Sequence, residues 1–142
     1  MHNLERFVSA QQQSYPTALA EIRQGRKRSH WMWYIFPQLK GLGFSDTARY
    51  YGIEDLEEAK AYMRHPSLRQ NLIQITQALL KLDQSDPVMI LGDIDGKKLR
   101  SCMTLFEAAA PEVPEFAQAL EKFYYGKRDG RTLSMLKKHQ GQ

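Results

Sequence analysis

The chain has 142 residues, of which 42% are hydrophobic and 25% are charged. This composition is typical of a globular protein and too apolar for a disordered one, and the length fits a single domain over residues 1–142. The formal net charge is +4 and the pI is about 9.2, which permits an anionic partner without requiring one. No apolar run approaches the roughly 20 residues that span a bilayer, so we expect no membrane partner.

Cysteine usage and the N-terminal segment indicate the compartment. The single cysteine, Cys102, excludes an internal disulfide and fits a reducing environment. The segment MHNLERFVSAQQQ is amphipathic and carries Glu5, unlike a secretory signal. We therefore predict a cytoplasmic protein. Cys102 is expected to be buried as a small hydrophobe, and the protein is expected to be a monomer or weak dimer.

Helix signals follow one another along the chain. Asn3 is predicted to cap a first amphipathic helix, and Pro16 to open a second one that stops at Gly25. Apolar residues at helical spacing, together with caps and terminators, predict further helices near residues 45–51, 56–65, 66–83, 86–92, 95–110, 114–126 and 129–139. The predicted fold class is all-α, a compact irregular (orthogonal) bundle of about eight helices.

The stretch GRKRSHWMWYIFPQ, residues 25–38, joins the most basic run of the chain to its most aromatic one. Residues 31–36 have high β propensity, but no partner strand is evident, so we expect no significant sheet. If the stretch is a helix ending at Pro37, His30, Trp33 and Tyr34 share one face, while Trp31 and Ile35 share the other.

Two interpretations of this stretch remain open. In the first, cations read an anion and aromatic rings stack on a flat ligand, with His30 as the candidate catalytic acid or base. In the second, both tryptophans belong to the core and bond their N–H groups to backbone. The candidate ligand-binding residues of the first interpretation are Arg26, Lys27, Arg28, Ser29, Trp31, Trp33, Tyr34 and Gln38, joined by Lys127 and Arg128 from a second cluster.

That second basic and aromatic cluster, YYGKRDGR, covers residues 124–131. It would form one groove with the first cluster if the two pack side by side, and otherwise it is a turn between helices with solvated charge. No metal and no cofactor are expected. The four histidines lack the spacing of metal ligands. The string DIDG, residues 93–96, resembles the start of a calcium loop, but Lys97 and Lys98 follow it where oxygen ligands are needed, so we expect Asp95 to be a helix cap. No phosphate-binding loop or dinucleotide fingerprint is present.

Four strings together carry a family resemblance: GRKRSHWMWYIFPQLKGLG, AYMRHPSLR (residues 61–69), KLRSCMTLF (98–106) and FYYGKRDGRTL (123–133). In order and spacing over nearly the whole chain, they resemble the bacterial family catalogued as domain of unknown function 1810. The resemblance implies a mainly helical single domain and no particular activity. Some members carry the label calpastatin, which suits long, disordered, aromatic-poor inhibitors and not a chain that is 11% aromatic.

The leading functional hypothesis is a protein that binds, and in one version processes, a nucleotide-like or other anionic aromatic small molecule in a basic and aromatic cleft. Whether it is an enzyme stays open. One alternative is a single-stranded nucleic-acid-binding module, which basic patches interleaved with aromatic residues suit but a charge of only +4 does not favour. Another is a protein-interaction domain without catalysis, in which the aromatic run contacts a partner.

Overall fold

Helices form the regular structure of the protein in the computed structural model, which describes residues 3–140, with side chains described for residues 3–138. The nine helices found there are α1 (Glu5–Arg23), α2 (Met32–Ile35), α3 (Asp46–Tyr51), α4 (Leu56–Arg64), α5 (Pro66–Leu80), α6 (Pro87–Leu91), α7 (Asp93–Ala109), α8 (Pro114–Tyr124) and α9 (Gly130–Gln140). Within this part of the chain there is no sheet, only an isolated parallel bridge between Leu39 and Ile53. The all-α fold class is therefore confirmed. No helix in the same residues is both long and apolar enough to cross a membrane.

The helices α5 and α7 organise the core. α7 packs against α4, α6, α8 and α9, while α5 packs against α1, α4 and α8. Leu99 and every residue from 101 to 106 are buried along α7. Cys102 is fully buried among them, and burial raises the pKa of its thiol, so the prediction of a buried small hydrophobe is confirmed.

An aromatic column ties the helices together through the centre of the core. The rings of Phe7, Tyr62, Phe106 and Phe116 follow one another with centroid separations of 5.2, 5.0 and 6.1 Å. These rings come from α1, α4, α7 and α8, and their tilted or edge-on contacts are the arrangements that aromatic pairs favour. Gln11 donates to the Tyr62 hydroxyl at 2.9 Å, so the one polar atom of the buried tyrosine is satisfied.

The predicted break at Pro16 is wrong, because α1 runs through it without interruption. Proline removes one hydrogen bond from a helix interior, the bond that its N–H would make to the carbonyl four residues earlier. Gln12 and Pro16 both lie on the exposed side of α1, where such a carbonyl faces water. Buried Tyr15 and Ala18 on either side hold the helix against the core, and tertiary packing overrides the local signal.

The aromatic run forms neither a strand nor a helix reaching Pro37. α2 has only four residues, with Trp31 at its N-cap and Phe36 at its C-cap. The predicted division of faces is nevertheless present. Trp31 and Ile35 are buried, whereas His30 is exposed and the residues at 33 and 34 are half-buried.

A tight turn ends α1 and starts the segment that leads to α2. The N–H of Arg26 donates to the carbonyl of Glu21 at 3.1 Å, and the N–H of Gly25 donates to that of Ile22 at 2.8 Å. This pair of bonds is a Schellman motif, which requires a residue in the left-handed region after the helix. Gly25 meets the requirement with φ +86°, at no steric cost. Residues 25–31, here named the basic loop, begin at this turn.

The carboxylate of Glu21 fixes the basic loop to α1. It accepts hydrogen bonds from the backbone N–H groups of Arg28 (2.7 Å) and Ser29 (3.0 Å), from the Ser29 hydroxyl (2.6 Å) and from the indole N–H of Trp31 (3.0 Å). Burial by itself would raise the pKa of Glu21, but these four donors outweigh it and lower the pKa to about 2. The buried charge is thus fully compensated, and the loop has one defined path over the helix.

Close backbone packing joins the segment after α2 to the end of α3. The N–H of Lys40 donates to the carbonyl of Ile53 at 2.8 Å, and the N–H of Ile53 donates to that of Gln38 at 2.9 Å. Gly52 lies against Lys40 at this crossing. A Cβ atom added to Gly52 would lie 2.6 Å from the Cα of Lys40.

We expect Gly52→Ala to lower the free energy of unfolding by about 1–3 kcal/mol, because the new methyl group meets backbone that cannot yield cheaply. The backbone dihedral of Gly52 is one that alanine adopts, so the cost is steric contact alone. Urea unfolding of both proteins measures the difference. Gly130→Ala is the matched control, since nothing lies within 4 Å of a Cβ at that position. Equal stabilities of the two variants would contradict the close approach at Gly52.

Glu21→Gln should lower the free energy of unfolding at pH 7 by about 3 kcal/mol, the amount that corresponds to the lowered pKa of this buried carboxylate. The pKa of Glu21 is lower in the folded chain than its ordinary 4.5. Its contribution is therefore fully present above about pH 4.5 and is lost as the pH falls towards 2. Urea unfolding at pH 7, 5 and 3 measures this, and the difference between the two proteins should fall at pH 3 to roughly half or less of its value at pH 7. Glu57→Gln, on an exposed side chain, serves as the control. A constant difference at all three pH values would contradict the assignment.

Candidate functional site

The basic loop alternates between side chains that face solvent and side chains that face the protein. Arg26, Arg28 and His30 are exposed. The residues between them are Lys27, with a side chain only 9% exposed, and the half-buried Ser29. The residues that the sequence predicted as one site are therefore divided into an outer and an inner set.

The inner set is engaged with the protein itself. Trp31 is 1% exposed, as the core interpretation expected, but its indole N–H donates to the side-chain carboxylate of Glu21 and not to backbone. Trp33 is only half-buried. Ser29 donates hydrogen bonds from both its N–H and its hydroxyl to the same carboxylate. The ammonium of Lys27 forms an ion pair with Asp95 at 3.0 Å and lies 5.2 Å from the centre of the Trp31 ring.

Asp95 links two lysines and, through them, two tryptophans. Its other carboxylate oxygen lies 3.4 Å from the ammonium of Lys98, and that ammonium lies 4.7 Å from the centre of the Trp33 ring. The predicted role of Asp95 as a helix cap is wrong, because α7 already begins at Asp93 and its N-cap is Gly92. The carboxylate instead offsets the charge of Lys27 and ties the basic loop to α7.

A cleft of about 550 Å³ opens between the basic loop and α6. The two walls are joined by a hydrogen bond from the N–H of Lys27 to the carbonyl of Ile90, at 2.7 Å. The lining residues are Gly25, Arg26 and Lys27 on one side and Gln84, Val88, Met89, Ile90, Leu91 and Gly92 on the other. A second hollow of about 480 Å³, lined by residues 26–28, adjoins it.

Arg26 and Arg28 are the cations of the basic loop that have no partner among the described residues. Within residues 3–138 no carboxylate or carbonyl lies within hydrogen-bond or ion-pair distance of either guanidinium group. Each guanidinium keeps five N–H donors in a planar fork that matches a carboxylate or phosphate. The rim of the cleft therefore carries uncompensated positive charge.

The remaining residues of the predicted first cluster lie around the outer face of α2. The hydroxyl of Tyr34 donates to the Ser14 hydroxyl at 3.0 Å, and the Tyr34 ring packs against that of Tyr51 at 5.1 Å. The exposed imidazole of His30 makes no hydrogen bond to any described residue, so nothing in that part of the chain orients its ring. Gln38 lies beyond α2, at the crossing with Ile53, and does not line the cleft.

The second basic cluster is the turn between α8 and α9. Arg100 donates to the carbonyls of Lys127 and Arg128, both at 2.8 Å, and closes the turn onto α7. Arg128 is paired with Glu107, with its Nε 2.9 Å from a carboxylate oxygen, while Lys127 is exposed. Among the described residues, no hydrogen bond or ion pair connects this turn to the basic loop. The structure thus brings together Arg26 and Arg28 but leaves Lys127 and Arg128 in a separate turn.

Sequence reasoning missed Glu21 and the aliphatic wall of the cleft. Glu21 could have been noticed as a lone carboxylate on the stripe formed by Ala18, Leu19 and Ile22, since a charge on a buried face needs donors nearby. Val88 and Met89 give no such signal, because a short apolar helix looks like core. No group of histidine, cysteine or carboxylate side chains in the described residues has an arrangement that could hold a metal ion.

Comparison with known proteins identifies relatives of the chain but no activity. A family model described as "Protein of unknown function (DUF1810)" matches residues 1–136. The crystal structure of the conserved hypothetical protein Rv1873 from Mycobacterium tuberculosis is 44% identical in sequence. It superposes with a TM-score of 0.92 over 94% of this chain and 95% of that one. No curated protein matches. With its four characteristic strings, its helical fold and this coverage, the chain belongs to the DUF1810 family.

Proposed function

We propose that the protein binds a small anionic molecule in the cleft between the basic loop and α6. The observation that supports this is a pair of guanidinium groups, those of Arg26 and Arg28, that have no acceptor among the described residues. Arg26 lines the cleft of about 550 Å³, and both arginines line the adjoining hollow. Ligand sites of 300–1,000 Å³ are common in proteins, and a few charged groups on a largely apolar lining usually fix the orientation of the ligand.

Side chains, and not backbone, would recognise the anion. The N–H groups of residues 26–29 all donate to acceptors within the protein, namely the Glu21 carbonyl, the Ile90 carbonyl and the Glu21 carboxylate. Lys27 is held by Asp95. Arg26 and Arg28 are the groups left to bind, and two guanidinium forks suit a phosphate or carboxylate.

A nucleotide-like ligand is the first class to consider, because aromatic side chains follow directly on the basic loop. Trp31 is occupied in the core, and neither Trp33 nor Tyr34 lines the cleft, so a stacked base would have to extend beyond its edge to reach these half-buried rings. If the ligand is also transformed, His30 is the first candidate for proton transfer, because its imidazole lies two positions from Arg28 and histidine is the commonest general acid or base in enzymes. We expect this activity in the cytoplasm.

The double variant Arg26→Gln/Arg28→Gln should bind adenosine monophosphate, flavin mononucleotide or ADP-ribose at least tenfold more weakly than the unchanged protein does. Two exposed charge-assisted contacts are lost, each contributing up to about 1 kcal/mol, and about 1.4 kcal/mol in total corresponds to a tenfold change in Kd. Thermal unfolding with each compound at millimolar concentration identifies a ligand, and titration calorimetry measures its affinity. At a hundred times Kd, the gain of about 2.7 kcal/mol raises Tm by roughly 10 °C.

Arg64→Gln is the matched control, since this exposed arginine lies at the end of α4. An affinity that falls equally in the control and in the double variant would argue against the cleft. The absence of any thermal shift with nucleotides, inorganic phosphate and alkyl phosphates alike would refute the proposal. Tight binding of a single-stranded oligonucleotide with a steep loss of affinity in salt would favour the nucleic-acid alternative instead.

A further inference from the structure

Three exposed aliphatic side chains lie where α6 meets α7. Val88 is 46% exposed, Met89 62% and Ile94 70%. Val88 and Met89 also line the cleft, opposite Arg26. Exposed apolar side chains are ordinary when they occur singly, but these three lie within seven residues of one another, and two of them, Val88 and Met89, face a ligand-sized hollow.

The lining of the cleft contains no aromatic residue. Its apolar surface comes from Val88, Met89, Ile90 and Leu91, and the basic loop opposite contributes the cations. A ring that entered this space would find no aromatic side chain on which to stack. An alkyl chain would instead contact aliphatic side chains, of which Met89 is long and flexible enough to adjust its shape.

We propose that the cleft takes a free amphiphilic anion, a carboxylate or phosphate group that carries an alkyl or acyl chain. The charged group contacts Arg26 and Arg28, and the chain lies over Val88 and Met89 towards Ile94. This proposal rests on the proposed function, because it names the chemical class of ligand for the same cleft. It replaces the stacking surface that the sequence led us to expect with an aliphatic one.

The ligand is a free molecule and not a lipid in a bilayer. Asp86 and Asp93 are exposed at the two ends of α6, next to the aliphatic side chains. A membrane rich in anionic headgroups would meet these carboxylates when it reaches Met89, and like charges repel. A single chain that enters the cleft avoids both.

Titration calorimetry with inorganic phosphate and with ethyl, butyl, hexyl and octyl phosphate, all below their aggregation concentrations, tests the proposal. The affinity should rise by up to about fourfold for each added methylene that becomes buried, and level off when the chain outgrows the cleft. Adenosine monophosphate is measured in parallel. Vesicles of phosphatidic acid mixed into phosphatidylcholine are tested by cosedimentation, where we expect no binding.

Two double variants test the apolar contacts and the charged contacts of the ligand separately. Val88→Gln/Met89→Gln should abolish the gain in affinity with chain length, whereas Arg26→Gln/Arg28→Gln should weaken every ester by the same factor. Leu133→Gln, at a side chain 46% exposed on α9, is the control. All these positions are exposed, so urea midpoints should match that of the unchanged protein.

Three other binding results would contradict the inference. Binding of adenosine monophosphate or ethyl phosphate without any gain from longer chains would overturn this inference and leave the proposed function standing. No binding of any phosphate compound would overturn both. Binding to anionic vesicles without binding of soluble octyl phosphate would assign the aliphatic side chains to a membrane contact and overturn the free-ligand proposal.

Discussion

The carboxylate of Glu21 accepts four hydrogen bonds from the segment that joins α1 to α2, and the geometry of the candidate site depends on this contact. A buried carboxylate is tolerated only when donors surround it. Here the donors come from Arg28, Ser29 and Trp31, so compensating the charge also fixes the path of the loop. Together with the Schellman turn at Gly25, it sets which side chains of the loop face inward.

The same contact explains why a single basic and aromatic cluster has two separate roles. With the backbone of residues 28–29 tied to α1, Trp31 enters the core and Lys27 reaches Asp95 on α7. Arg26 and Arg28, the residues on either side of Lys27, then face solvent. The protein's own carboxylate occupies the donors that the sequence offered to an external anion, and only the guanidinium groups stay available to a ligand.

The helices were largely predictable, because periodicity of apolar residues and the caps at Ser45 and Asp86 act over a few residues. Failures occurred where distant contacts decide. Pro16 does not break α1, since buried neighbours hold it in place. Asp95 has an acceptable local role as a cap, yet it pairs with a lysine 68 positions earlier in the chain. The sequence shows that positions 26 and 28 carry positive charges. That they lie apart from Lys127 and Arg128 depends on tertiary packing, which no local pattern predicts.

A site that recognises an anion through two arginine side chains has limited affinity on that account alone. Ordering each long side chain costs about 0.5–1.5 kcal/mol, and exposed charge pairs gain little in water. The third cation of the loop, Lys27, is paired with Asp95 and is therefore not available to bind the ligand. Additional binding energy must then come from apolar contact, and the adjacent apolar surface of the cleft is the aliphatic wall of α6. The chemistry of the ligand is therefore constrained from both sides of the cleft: a charge that fits the guanidinium groups and an apolar part that fits Val88 and Met89.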